Sequence, residues 1–121
     1  MSKAVLIVDD STSMRQMVSS AMKQAGFDVI ESANGQEALD EVQGKNVNLV
    51  ITDLNMPVMD GMTLIRALRA KAEFKFTPIL MLTTESQQER KMQGKAAGAT
   101  GWIVKPFNPE QLLQVVQKVV R

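Results

Sequence analysis

The chain has 121 residues, 45% of them apolar and 22% charged, with a formal net charge of +1, no cysteine and no histidine. Those values fit one soluble globular domain spanning residues 1–121, and they offer no basic field for nucleic acid. Without cysteine there are no disulfides or thiolate chemistry, and any step that needs an imidazole must take it from another molecule.

The first element is the apolar run Ala4-Val5-Leu6-Ile7-Val8, which stops on Asp9-Asp10. It is too short for a signal-peptide core or a membrane span, so a cytoplasmic protein with no membrane partner is expected. Met14, Met17, Val18, Ala21 and Met22 then form the stripe of an amphipathic helix, closed by Gly26. Phe27 to Glu31 reads as a short strand. Asn34 caps the next helix, with Glu37 three residues on, and that helix buries Ala38, Leu39 and Val42. Val47 to Asp53 is the third strand, followed by a turn-rich loop carrying Met56-Pro57 and Asp60-Gly61.

Met62, Leu64, Ile65 and Leu68 mark a third helix face, and Pro78 starts a fourth strand that runs to Thr83. Ser86 to Glu89 has the pattern of a capping box. The helix it opens is weak, with Met92 as its one large apolar residue up to Ala97 and Gly94 in its middle. Such a segment is either an ordinary solvated helix or a low-stability element able to shift. Gly98 ends it, a fifth strand runs from about Thr100 to Val104, and Asn108-Pro109 opens a last helix. Its core stripe is Leu112, Val115, Val116, Val119 and Val120. Alternating strands and helices of this kind predict an α/β domain: a doubly wound, five-stranded parallel sheet with five helices.

In such sheets ligands bind beyond the carboxyl ends of the strands. Four apolar runs here end on Asp9-Asp10, Asp53, Thr83 and Lys105. Each residue alone has an ordinary explanation: a solvated loop, a strand-forming threonine, a solvated lysine tip. Placed on one rim, three carboxylates, a hydroxyl and an ammonium form a different object. Clustered carboxylates repel unless a cation joins them, and oxygen ligands without His or Cys select a hard ion such as Mg²⁺. A phosphate meets such a rim either through the metal or by bonding to one carboxylate. Both together make chemical sense, with Asp53 as nucleophile, Lys105 balancing charge and Thr83 taking an oxygen.

With these residues in place the sequence resembles the receiver domain of two-component response regulators over its full length, and within it the single-domain chemotaxis regulators. The signature is distributed: Asp9-Asp10, the run Asp53-Leu54-Asn55-Met56-Pro57 with Met59-Asp60-Gly61 after it, Thr83, and Lys105-Pro106-Phe107. The resemblance implies a flavodoxin-like strand order of 2-1-3-4-5. It implies that Asp53 is the phosphoacceptor, with Lys105 and Thr83 in the catalytic set. Asp10, Asp53 and the Asn55 backbone carbonyl would hold Mg²⁺, with Asp9 acting through water. Thr83 and Trp102 would be the switch pair. The implied partners are a histidine kinase as phosphodonor, an effector protein such as the flagellar motor switch, and a phosphatase. Two positions depart from the pattern: Trp102 stands where the family usually has Tyr or Phe, and Thr84 where it commonly has a small residue.

Three other readings use parts of the same pattern. A haloacid dehalogenase-like phosphatase also employs Asp, Mg²⁺, Thr and Lys, but needs a second Asp where Asn55 stands, and an amide cannot shuttle a proton. A flavin carrier would meet Asp9-Asp10 where its phosphate needs neutral donors. A degenerate receiver would lack side chains that are all present here. The expectation is a signalling switch that is not an enzyme beyond its own phosphorylation and dephosphorylation. Its output would pass through a binding partner, with a phosphorelay shuttle or a phosphate sink as alternatives.

Overall fold

The computed structural model describes residues 3–54, 56, 58–83, 88–105 and 107–120. In chain order the elements are β1 (Ala4–Val8), α1 (Thr12–Gln24), β2 (Asp28–Ser32), α2 (Gly35–Glu41), β3 (Leu49–Asp53), α3 (Gly61–Arg69), a 3-10 turn (Ala72–Phe74), β4 (Ile79–Thr83), α4 (Gln88–Ala97), β5 (Gly101–Val104) and α5 (Pro109–Val119). The strands form one sheet in the order β2-β1-β3-β4-β5, and all four pairings are parallel. This is the expected doubly wound arrangement.

Side chains alternate across a strand, and the apolar set splits accordingly. Leu6, Val8, Val50, Ile79 and Met81 join residues of α2 and α3 and Ala97 of α4 in one core cluster. Val5, Ile7, Leu49, Ile51, Leu80, Leu82 and Ile103 join α1 and α5 in the other. Strands covered on both faces have no polar alternation, which is why these runs read as continuous apolar segments.

Local chemistry fixes the helix ends. Ser11 caps α1 by accepting from Met14 N–H, Asn34 caps α2 by accepting from Glu37 N–H, and Asp60 caps α3 by accepting from Thr63 N–H. Glu37 reaches back to Ala33 N–H at 3.3 Å, one residue before the cap. Asn108 and Gln111 close a reciprocal capping box at α5, with Pro109 at its start. The expected cap at Ser86 lies outside the described residues.

Several edges shift by a residue or two from the expected ones. Phe27 is not in β2, because its N–H closes the end of α1 on Met22 O. Leu49 rather than Val47 opens β3, and Gly101 rather than Thr100 opens β5. The apolar stripe of α4 is as thin as expected. Met92 is 63% exposed, while Gly94 is buried where a Cβ would collide with the Met81 side chain. The mid-helix glycine leaves room for the Met81 thioether under α4.

Candidate functional site

Parallel register brings the strand ends to one rim. Val8 pairs with Thr52, and Asp53 pairs with Leu82, so Asp9, Asp53 and Thr83 follow at neighbouring heights. β1 hands the chain to a loop in which Asp9 N–H donates to Ser32 O and Asp9 Oδ1 accepts Ser11 N–H. Asp9 is fully buried and Asp10 is exposed. One carboxylate oxygen from each of Asp9, Asp10 and Asp53 lies within 4.8 Å of the others.

Lys105 leans into this cluster from the end of β5. Its Nζ donates to Asp53 Oδ1 at 3.1 Å and lies 3.6 Å from Asp9 Oδ2. Its own N–H donates to Thr83 O at 2.7 Å, so the lysine is anchored to the residue that ends β4. Asp53 Oδ1 also accepts Leu54 N–H at 2.9 Å. Gly61 N–H donates to Leu54 O, and a Cβ on Gly61 would come within 2.4 Å of the Asp53 carbonyl oxygen. Only glycine lets the start of α3 approach the end of β3 so closely. In the intervening loop Val58 holds φ at +71°, a left-handed conformation that a β-branched residue resists.

Burial is the main force on Asp9. Its pKa is raised above the ordinary 3.8, first by desolvation, with the charges of Asp53 and Asp10 adding to the rise. The Ser11 N–H and Lys105 oppose that shift without cancelling it. Asp9 Oδ2 is buried and has no hydrogen-bond partner among the described residues. An under-satisfied buried carboxylate oxygen beside two more carboxylates is the electrostatic environment a hard cation relieves.

The residues singled out from sequence therefore stand as follows. Asp9, Asp10, Asp53 and Lys105 come together. Thr83 is buried at the adjoining strand end. Trp102 sits lower on β5, paired with Met81, and packs partly buried against the α2–α3 cluster. Thr83 follows Ile79 and Met81 in the two-residue alternation, so it shares Trp102's side of the sheet. Asn55, Thr84 and Pro106 lie outside the described residues.

The family model of the response regulator receiver domain matches residues 5–117. The chain belongs to that family. It is 35% identical over 116 residues to the chemotaxis protein CheY of Pseudomonas aeruginosa, covering 95% of this chain and 94% of that one. It is 36% identical over 118 residues to the chemotaxis protein CheY1 of Helicobacter pylori, covering 96% and 95%. The structure of the chemotaxis response regulator CheY4 of Vibrio cholerae superposes with a TM-score of 0.95 at 52% identity, covering 99% of this chain and all of that one. The chain is thus a receiver domain of the CheY type, and its rim is the acidic pocket of a receiver.

Two contributions to this receiver site carry no sequence signal. Gly61 stands in the receiver motif, but nothing local shows that its missing side chain lets α3 meet the Asp53 carbonyl. Arg15, which donates to the Asp9 carbonyl at 2.6 Å, left no local signal, since an arginine in a first helical turn is ordinarily solvated.

Proposed function

We propose that the protein is a phosphorylation-activated switch that takes a phosphoryl group on Asp53 and then binds an effector protein. The observation that carries this is the Lys105 ammonium held 3.1 Å from Asp53 Oδ1 beside two further carboxylates. With Oδ1 engaged by Lys105 and Leu54 N–H, Oδ2 is the oxygen that attacks. The donor is a phosphohistidine of a histidine kinase, since this chain has no histidine of its own. A new bond forms between Oδ2 and phosphorus, the phosphorus–nitrogen bond breaks, and its electron pair leaves on the imidazole. Lys105 stays paired with the charge that builds on the phosphoryl oxygens, and the Thr83 hydroxyl is drawn to one of them.

The three clustered carboxylates fit Mg²⁺: Asp10 and Asp53 would hold it and Asp9 would act through water, and the receiver resemblance adds the backbone carbonyl of Asn55, which lies outside the described residues. When bound, the ion supplies positive charge that lets an anionic donor approach an anionic acceptor. We read it as a switch and not as a turnover enzyme. Asn55 stands where an acid–base carboxylate would be needed, so removal of the mark falls to slow hydrolysis or to a separate phosphatase.

The effector face is α4, β5 and α5. Lys91, Met92, Lys95, Ala96 and Trp102 line a groove of about 470 Å³ there, with the Lys91 ammonium 5.5 Å over the indole. By its resemblance to the single-domain chemotaxis regulators, we read the effector as the flagellar motor switch and the place of action as the cytoplasm. The test is phosphoryl transfer from a phosphorylated histidine kinase, or from acetyl phosphate, with Mg²⁺ present. The wild type acquires one hydroxylamine-labile phosphoryl group and Asp53→Asn acquires none. Stoichiometric labelling of Asp53→Asn would overturn the assignment.

A further inference from the structure

Arg15 stands in the first turn of α1, yet its guanidinium does not serve the helix. Nη1 donates to the Asp9 backbone carbonyl at 2.6 Å. Nε lies 3.4 Å from Glu31 Oε1, on β2. Glu31 Oε2 in turn accepts from Ser19 Oγ at 3.3 Å, back on α1. The side chain of Arg15 is 18% exposed, so it is held rather than trailing in solvent.

The carbonyl that Arg15 grips belongs to the peptide joining Asp9 to Asp10. A peptide unit is planar, so fixing its oxygen also fixes the direction of the following N–Cα bond. Asp9 is further held by Ser11 N–H and by Lys105, whereas Asp10 is exposed at the surface of the rim. The backbone therefore sets where the Asp10 side chain starts and which rotamers can reach Asp53. We propose that Arg15 is a positioning residue for the divalent-cation site: through the Asp9 carbonyl it aims Asp10 toward Asp53, and Glu31 anchors it. This rests on the reading of the rim as a Mg²⁺ site.

Charge alone would act in the opposite direction. A guanidinium near a cation site repels the cation, and its removal would tighten binding. A tether acts by geometry, and its removal weakens binding, as happens when groups that orient metal ligands are lost. The sign of the change separates the two. Glu31 neutralises the guanidinium, which suits a tether and not a field.

The experiment is calorimetric titration of the full chain with Mg²⁺ alone, with folding of each variant checked by Trp102 near-UV signal. Arg15→Met should bind Mg²⁺ about tenfold more weakly than wild type. Glu31→Gln, which keeps Arg15 but removes its anchor, should also bind more weakly. The double variant should be no weaker than Arg15→Met, because both changes break one linkage. Unchanged or tighter Mg²⁺ binding in folded Arg15→Met overturns the proposal; should that variant fail to fold, unchanged binding in Glu31→Gln does so. Asp10→Asn separates the layers. Wild-type affinity in that variant defeats the cation-site reading itself, whereas lost affinity there with unaltered Arg15→Met defeats only the tether.

Discussion

At the scale of single residues, the rim holds an imbalance that ligation would relieve. Asp9 is buried, its Oδ2 lacks a hydrogen-bond partner among the described residues, and its pKa lies above 3.8 chiefly through desolvation. The folded chain then keeps a proton at pH values where the unfolded chain has released it. Stability of the metal-free protein should fall as pH rises from 3.8 through the raised pKa of Asp9, and the penalty is complete above it. Asp9→Asn retains an oxygen for Ser11 N–H and removes the charge. In chelator its Tm at neutral pH should exceed that of wild type, with the gap closing as pH falls toward 3.8; a lower Tm at neutral pH would contradict this account of Asp9. Asp10 differs because it is exposed. Asp10→Ala should leave the thermal transition near wild type and abolish Mg²⁺-dependent phosphorylation from acetyl phosphate, and normal labelling would show that Asp10 is no ligand.

At the scale of elements, close approach matters more than propensity. Gly61 sits at the start of α3 with its Cα so near Asp53 that a methyl group would meet backbone atoms at 2.4 and 2.9 Å. Backbone cannot swing aside as a side chain can. Gly61→Ala should therefore cost roughly 1–3 kcal/mol in chemical denaturation, despite alanine's better helix propensity. It should slow phosphorylation as well, because the atoms displaced belong to Asp53 and Leu54, and Asp53 is the proposed acceptor. An unchanged denaturation midpoint would mean that α3 can slide away freely. These approaches explain what was legible in the sequence and what was not. The apolar runs of β1, β3, β4 and β5 and the polar residues ending them could be read directly, because a strand buried on both faces must be continuous and must end where polarity returns. The caps at Asn34 and Asn108 were equally plain, since their chemistry is confined to a few neighbouring residues. Arg69 was not. It donates from the end of α3 to Gly98 O, Phe74 O and Thr77 O, at 2.9, 2.5 and 2.6 Å, tying the loop after α4 to the entry of β4. Contacts made to backbone carbonyls carry no residue-type signature, and the same holds for Arg15 at Asp9. The turn at Ala72–Phe74, with Phe74 buried and Phe76 89% exposed, likewise follows from where α3 delivers the chain.

At the scale of the whole molecule, the sheet carries the acidic rim at one end and the groove of Lys91, Met92 and Trp102 along one side, and the proposed function assigns phosphorylation to the first and effector binding to the second. Thr83 and Trp102 share a face of that sheet, with Met81, two residues before Thr83 on β4, paired with Trp102. Among the described residues no helix is long and apolar enough to cross a membrane, and α4 contributes to the groove through Lys91, Met92, Lys95 and Ala96. The proposed coupling is that a phosphoryl group on Asp53 draws in the Thr83 hydroxyl, space opens behind it, and the indole turns inward from the groove. A ligand shifts such an equilibrium only by its differential affinity for the two states, so effector affinity and indole position must move together. Trp102 is the only tryptophan, and its emission reports this one site. The most direct test is that emission during titration with beryllofluoride, a phosphoryl mimic, in the presence and absence of Mg²⁺. The account predicts a saturable change in wild type that requires both Mg²⁺ and beryllofluoride, is absent in Asp10→Ala and is weakened in Thr83→Ala. Identical emission with and without beryllofluoride, in protein shown by effector binding to be activated, would contradict it.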